Sequence, residues 1–283
     1  MTIFLSYIFY FIASTLWPLQ RRSLALKKEV SEKEQVSFAF NVMLILVAFS
    51  FLLPIFQPLY FSGNVLQLIF LSIVSGLCGM GYFVLSYIAQ RHVEASITSI
   101  ITKINTPLVV VLSYFLLHEG LKPYQIIGMT LILVAVLVVS KKHHLGKFKF
   151  DKYFLMMAAS SILAGFVLVA ERALQKTTGF TFGTMLSWWS QCAFLGLAAW
   201  VYRSKHTYNT GEVLTTGILR SMGAVSYVVL VWVVGNLSVV SSVINFQVVT
   251  LFIAAAIFLH EREDMPRKII GSIIAVAGLL LMK

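Results

Sequence analysis

A lysine falls in the middle of a long apolar run. Lys103 lies about eight residues into the segment 95–117, roughly 12 Å along a helix. A lysine at that depth in a bilayer costs about 2.5–3.5 kcal/mol, so we expect it to face a wet cavity or a partner. Pro107 lacks the N–H that would bond the Lys103 carbonyl. Lys103 is therefore a candidate to bind a carboxylate or phosphate, or to exchange a proton. Pairing with an acid elsewhere and snorkelling along the helix are the structural alternatives.

Amide side chains occupy related positions in the two halves of the sequence. The internal repeat described below aligns Lys103 with Asn245 and Asn105 with Gln247. Lys103 and Asn105 are two positions apart on one helix, as are Asn245 and Gln247 on another, so the two side chains of each helix point about 200° apart. We therefore expect one of the two on each helix to face a cavity. Substrate contact is one interpretation of these amides, and hydrogen bonding between helices is the other.

Aromatic side chains form a second group of candidates. Tyr82 follows a glycine-rich stretch, and its hydroxyl and that of Tyr227 are candidates to contact a polar substrate. Trp188 and Trp189 lie in mid-span, where an indole is a candidate to stack on an aromatic or cationic substrate. The alternative for the two tyrosines is a buried hydroxyl with a local partner, and the alternative for the two tryptophans is packing or lipid contact.

One acidic residue near a span end is a candidate for coupling. Glu171 is a candidate proton carrier, and an interfacial ion pair or a gate element is the alternative. We find no Walker A loop and no metal-ligand cluster, so the sequence predicts no cofactor and an ion or substrate gradient as the energy source. Cys78 and Cys192 fall inside apolar runs and are interpreted as small core residues.

Composition places all these residues in a membrane protein. Hydrophobic residues make up 59% of the 283 and charged residues only 12%, too few for the surface of a soluble protein. The net charge of +11 comes from basic residues in short connectors, which is typical of membrane topology and argues against nucleic-acid binding. The sequence therefore predicts a multi-pass integral membrane protein, in a prokaryotic inner membrane.

Long apolar runs predict an all-α fold with ten transmembrane helices, the first of them retained in the mature chain. The expected spans are 3–19, 36–57, 65–89, 95–117, 123–140, 153–174, 181–202, 216–235, 238–259 and 267–282. Most basic residues outside the spans follow odd-numbered spans, which predicts cytoplasmic odd-numbered connectors and both termini outside.

Two segments of the chain repeat each other. Residues 116–133 and 258–275 share His-Glu, then Pro, then Ile-Ile-Gly in the same order. The repeat predicts two five-helix halves, 1–145 and 146–283, and an odd number of spans per half inverts the second. Such inverted halves often surround a midplane site and rock about it.

Ten spans in two halves, each with His-Glu at the end of a span followed by a Pro-x-x-Ile-Ile-Gly helix entry, resemble the drug/metabolite transporter superfamily, in particular its EamA-type members. The resemblance implies a central cavity formed by the first four helices of each half, with the fifth helix peripheral. It also implies transport of amino acids or other small metabolites, often outward. Many relatives have both termini in the cytoplasm, opposite to the charge pattern here.

The sequence thus predicts a secondary active transporter whose partners are a small-molecule substrate and the lipid bilayer, with proton coupling as an option and no oligomeric state specified. Lys103 favours an amino acid or a related carboxylate-bearing compound as substrate. The alternatives are an intramembrane enzyme or lipid-handling protein, a non-transporting scaffold, and a transporter of cationic drug-like compounds. No converging nucleophile and base is visible within the spans, so the sequence predicts no enzyme.

Overall fold

The computed structural model describes residues 2–27, 31–61, 63–117, 123–140, 151–202, 208–234, 247–260 and 265–281. Within these residues the regular structure is helical, which confirms the predicted all-α class. The α-helices are α1 (Thr2–Lys27), α2 (Glu32–Ser50), α3 (Val65–Ala89), α4 (Ala95–Ile101), α5 (Asn105–Leu117), α6 (Pro123–Ser140), α7 (Lys152–Thr178), α8 (Phe180–Tyr202), α9 (Thr210–Val234), α10 (Gln247–Phe258) and α11 (Met265–Leu281). Short 3-10 helices cover Leu53–Ile55 and Thr102–Ile104.

Side-chain caps start several of these helices. Ser31 and Glu34 form a capping box at α2, in which each side chain bonds the other residue's backbone N–H. The Asn64 side chain accepts a 2.9 Å hydrogen bond from the Leu66 N–H at the start of α3. Asp151 accepts a 2.8 Å bond from the Phe154 N–H at the start of α7. These caps satisfy N–H groups that have no partner within the helix.

The predicted span 95–117 is not one continuous α-helix. It divides into α4, the 3-10 helix Thr102–Ile104 and α5, and Lys103 is the central residue of the 3-10 helix. Because Pro107 cannot donate a hydrogen bond to the Lys103 carbonyl, the regular α-helical pattern cannot run through this point. A short 3-10 helix is a common way to accommodate such an interruption.

Helix α1 extends eight residues beyond the predicted end at residue 19. Its basic last turns are buried because the backbone of the α3–α4 connector supplies acceptors. The Arg22 guanidinium donates to the carbonyls of Gln90 and Arg91, and the Gln90 amide donates to the Pro18 carbonyl over 3.2 Å. Tertiary hydrogen bonds therefore stabilise a helical segment that hydropathy alone assigned to a connector.

Helices from the first and the second part of the chain pack on one another. The most extensive contacts join α3 with α7, α6 with α11, and α1 with α9. Further contacts join α3 with α8, α2 with α8, α7 with α8, and α2 with α9. The bundle is therefore held together by contacts between helices that are distant in sequence.

The outer surface of the bundle is strongly apolar. Large side chains such as Leu66, Phe70 and Trp200 are 75%, 63% and 71% exposed. By length and composition, four helices of the described part are able to cross a membrane. They are Glu32–Ile55, Val65–Ala89, Lys152–Thr178 and Thr210–Leu230. An apolar exterior of this extent suits contact with lipid.

Candidate functional site

A cavity of about 220 Å³ lies between helices of both halves. From the first half, α2, α3 and α5 contribute to its walls, and from the second half α7, α8 and α9 do. The polar and aromatic residues of its lining are Tyr82, Asn105, Glu171, Trp188, Gln191, Arg220 and Tyr227. The cavity therefore brings together side chains that are up to about half the chain apart in sequence.

Glu171 is held by hydrogen bonds from α8 and from its own helix, α7. The Ser187 hydroxyl donates to one carboxylate oxygen over 3.2 Å, and the Gln175 amide lies 3.5 Å from the other. Gln175 also donates to the Thr184 hydroxyl over 2.9 Å. The Glu171 carboxylate is thus positioned between α7 and α8 by neutral donors rather than by a cation.

Gln191 joins this group of polar residues to α3. Its amide donates to the Ser187 hydroxyl over 2.9 Å and lies 3.3 Å from the Ser75 hydroxyl, and the two hydroxyls are 2.8 Å apart. Gly79 allows this close approach, because a Cβ there would lie 2.9 Å from Cδ and 3.1 Å from Cβ of Gln191. A small residue on α3 therefore makes room for a polar side chain of α8.

Arg220 is the cation that lines the cavity, and the sequence-based candidates did not include it. Its Cζ lies 4.8 Å from the ring centre of Trp17 and 4.7 Å from that of Phe83. The signal was present, since Arg220 falls inside an apolar span as Lys103 does. Lys103 has the stronger local signal, because Pro107 follows it by four residues.

Lys103 lies outside the cavity lining, whereas its neighbour Asn105 is part of it. Within the described residues, no hydrogen bond or ion pair is found for the Lys103 ammonium group. The Asn105 side chain accepts a 3.2 Å hydrogen bond from the Thr106 hydroxyl. Of the polar pair on this segment, Asn105 is therefore the member that faces the cavity.

Gln247 binds α1 and does not line the cavity. Its amide N–H donates to the Ser14 carbonyl over 2.9 Å, and its carbonyl oxygen accepts from the Tyr10 hydroxyl at 3.3 Å. Asn245, the other candidate amide on this segment, lies outside the described residues. The contacts of Gln247 thus correspond to the interhelical hydrogen bonding that was the alternative to substrate contact.

The two adjacent tryptophans face different surroundings. Trp188 is 6% exposed and lines the cavity, while Trp189 is 40% exposed and is absent from the lining. The Trp189 indole N–H donates to the Ser50 hydroxyl over 2.9 Å, and its ring packs on Phe51. Consecutive helical positions point about 100° apart, so only one of the two indoles reaches the cavity.

Tyr82 and Tyr227 both line the cavity, so the structure brings together both predicted hydroxyl groups. In the described part of the chain, no group of three or more His, Cys, Asp or Glu side chains is placed to hold a metal ion. Cys78 and Cys192 are free thiols. The arrangement is suited to reversible binding of a small polar molecule.

Comparison with known proteins agrees with this architecture. A solved structure described only as a protein crystal structure shares 17% identity with a TM-score of 0.62, over 98% of this chain and 95% of that one. At this identity the likeness concerns the fold alone, and no curated protein matches the chain. Residues 1–141 match the model of the EamA-like transporter family. The chain thus belongs to the EamA-like transporters of the drug/metabolite transporter superfamily, and is a multi-pass membrane protein.

Proposed function

We propose that the protein is a secondary active transporter that moves a small carboxylate-bearing metabolite, foremost an amino acid, by alternating access. The observation that carries this proposal is a single cavity, formed by both halves, that contains an acid and a base. Glu171 and Arg220 both line it, and no ion pair joins them. A zwitterion offers one opposite charge to each group, which compensates for removing both from water.

The pattern of helix contacts supports the proposed inverted repeat of ten spans, with halves 1–145 and 146–283. The exchange of α1 for α7, α2 for α8 and α3 for α9 turns the α1–α9 contact into α3–α7 and the α2–α9 contact into α3–α8, and it leaves α2–α8 unchanged. The α7–α8 contact is the exception, since α1 and α2 have no comparable contact among the described residues. A bundle with two related halves has two related ways to open, one toward each side of the membrane. The cavity between α3, α7, α8 and α9 lies where such a movement would expose it.

The size of the cavity favours a metabolite over a larger drug-like compound. Sites for drug-sized ligands usually have volumes of about 300–1,000 Å³. The cavity here has about 220 Å³. A small amino or organic acid suits this volume, and the wide apolar groups of most cationic drugs do not.

Transport of a small cation is the second candidate function, and Glu171 is the observation that favours it. Glu171 lines the cavity, and its carboxylate is the opposite charge that a cation needs when it leaves water. A cation transporter would use the Glu171 carboxylate as the counter-charge and would leave Arg220 without a role in binding.

Glu171 is also the residue that we propose for proton coupling, in a prokaryotic inner membrane. Its donors Ser187 and Gln175 are neutral, so the carboxylate can bond to them in either protonation state. A carrier that exchanges substrate and proton at one residue couples the two fluxes. We expect Glu171→Gln to lose accumulation driven by a pH gradient and to keep substrate exchange only with a raised KM, because the substrate ammonium loses its opposite charge.

The test is counterflow in proteoliposomes that are preloaded with one unlabelled compound and diluted into its labelled form. L-amino acids, their desamino acids and small quaternary amines form the panel. Uptake of labelled acids supports the proposal, whereas uptake of amines alone supports the cation transporter. Thermal unfolding gives an independent check, since a ligand at a hundred times its Kd stabilises by about 2.7 kcal/mol. No exchange of any acid would refute the proposed function.

A further inference from the structure

A buried arginine, Arg21, and a half-buried one, Arg220, stack on one tryptophan beside the cavity. The Cζ of Arg21 lies 4.8 Å from the ring centre of Trp17 and 4.4 Å from that of Tyr87. The Cζ of Arg220 lies 4.8 Å from the same Trp17 ring and 4.7 Å from Phe83. We call these five residues the arginine cluster. It joins α1, α3 and α9, and Arg220 extends it to the cavity wall.

Several buried N–H groups of the cluster have no hydrogen-bond acceptor. Arg21 is only 5% exposed, and its Nε and Nη1 are buried without a partner. The Nε of Arg220 and the indole N–H of Trp17 are in the same condition. Buried charges normally have a partner, because an arginine presents five donors that all lose water on burial. Two positive charges against the same Trp17 ring make the cost of burying them larger.

The aromatic rings do not supply what the cations lack. A cation–π contact is weaker than the ionic partner that a buried guanidinium normally has, and it leaves the N–H donors unbonded. Within the described residues, no carboxylate forms an ion pair with Arg21 or Arg220. Glu171, the acid of the same cavity, has its hydrogen bonds with Ser187 and Gln175. An anion that enters through the cavity would complete the cluster.

We propose that the arginine cluster is the subsite for the anionic group of the transported molecule. This inference rests on the proposed function and specifies how the substrate lies in the cavity. The substrate carboxylate accepts from the guanidinium of Arg220, and Arg21 adds its positive charge from behind Trp17. The opposite end of the substrate, an ammonium group, then lies toward Glu171. The geometry thus assigns Arg220 rather than Lys103 as the recognition cation.

The test measures binding by thermal unfolding and by calorimetry on the detergent-purified protein. The standard L-amino acids are screened first, and the strongest binder is then compared with its carboxamide, which lacks the negative charge. We expect the carboxamide to bind wild type at least roughly 30-fold more weakly. The variants are Arg220→Gln and Arg21→Met, with Arg220→Lys keeping the charge and Lys33→Gln as an exposed control on α2.

Each outcome bears directly on the inference. We expect Arg220→Gln and Arg21→Met to bind the acid and its carboxamide about equally, Arg220→Lys to keep a preference for the acid, and Lys33→Gln to match wild type. If the two neutral variants still prefer the acid as strongly as wild type does, the inference is wrong. Loss of that preference in Lys103→Met alone would also overturn it, while leaving the proposed function intact. Binding of no acid by wild type would overturn both.

A purely structural role for the cluster predicts a different result. In that case Arg21→Met would lower the unfolding temperature of the ligand-free protein without changing the ratio of acid to carboxamide affinity. The ratio is therefore the decisive quantity, since it compares two ligands on the same variant and is independent of how stable that variant is. An unchanged ratio in a folded Arg21→Met protein would refute the assignment.

Discussion

Two regions of this protein bury a basic residue to a similar extent, and they differ in what faces it. Lys268, at the start of α11, is 1% exposed and its ammonium group is bonded to the Glu94 carboxylate before α4. Arg21, in the last turns of α1, is 5% exposed and has aromatic rings where Lys268 has an acid. Burial is shared, so the partner is the informative difference.

The difference separates a structural cation from a recognition cation. The Glu94–Lys268 pair joins the first half of the chain to the second, and each charge compensates the other whether or not a ligand is present. The arginine cluster has its charges uncompensated in the ligand-free protein. A transporter gains from such an arrangement, because the energy of completing the site becomes available when the substrate arrives.

Breaking the paired region should give the largest loss of stability. Lys268→Ala leaves the Glu94 carboxylate without its cation, and removing one partner of a buried pair costs about 3–5 kcal/mol. Thermal unfolding of the purified variant measures this loss. The exposed Lys33→Ala is the control and should stay within about 0.5 kcal/mol of wild type. Equal unfolding temperatures for the two variants would show that the pair is not structural.

Gly79→Ala tests the hydrogen bonds among the neutral polar groups at the cavity. The added methyl group would displace Gln191 from Ser75 and Ser187, and overpacking of this kind costs about 1–3 kcal/mol. Gly211→Ala is the matched control, because nothing lies within 4 Å of a Cβ there. Its stability should be unchanged or about 0.4–1 kcal/mol higher. Similar losses in both variants would contradict the close α3–α8 contact.

Removing the charge of Arg21 should change the unfolding free energy in the opposite direction to Lys268→Ala. Arg21→Met removes a desolvated charge that costs several kcal/mol and gives up cation–π contacts worth about 2 kcal/mol. We therefore expect the unfolding free energy of the ligand-free protein to be unchanged or to rise by up to about 2 kcal/mol, while the preference for the acid over its carboxamide is lost. A loss as large as that of Lys268→Ala would erase the distinction between the two regions.

The smallest effect is expected outside both regions. Trp189→Phe removes the hydrogen bond to Ser50, which contributes about 0.5–1.5 kcal/mol. Because Trp189 is not in the cavity lining, substrate exchange should match wild type. Trp188→Phe is the matched variant inside the cavity, and its exchange rate should change. If Trp189→Phe impaired exchange as much as Trp188→Phe, the cavity would have been assigned to the wrong face of α8.

Much of the candidate site could be predicted from residue types and depth in the spans. Glu171, Tyr82, Tyr227 and Trp188 are polar or aromatic groups in apolar runs, and all of them line the cavity. Depth does not specify the direction in which a side chain points. Rotation about the helix axis separates Trp188 from Trp189, and it depends on which neighbouring helix each face meets.

Arg220 shows why the remaining part required the packed bundle. Its position in a span was evident from the sequence. Its assignment as a binding residue depends on Trp17, Phe83 and Arg21, which come from two other helices. Lys103 had the stronger local signal in Pro107, and that signal describes a 3-10 helix rather than a cavity wall. Local backbone chemistry and long-range contact are separate properties.

Composition and hydropathy were enough to specify an all-α membrane protein, because these properties accumulate along the chain without reference to contacts. The repeated His-Glu and Pro-x-x-Ile-Ile-Gly segments carried the resemblance to the EamA-like transporters. Which buried charges meet a partner and which meet the cavity depended on the packing of α1, α3, α7, α8 and α9. Electrostatic energy in an apolar interior changes steeply with separation and partner. A buried basic side chain is therefore structural where it meets Glu94, as Lys268 does, and available for recognition where it meets Trp17, as Arg21 does.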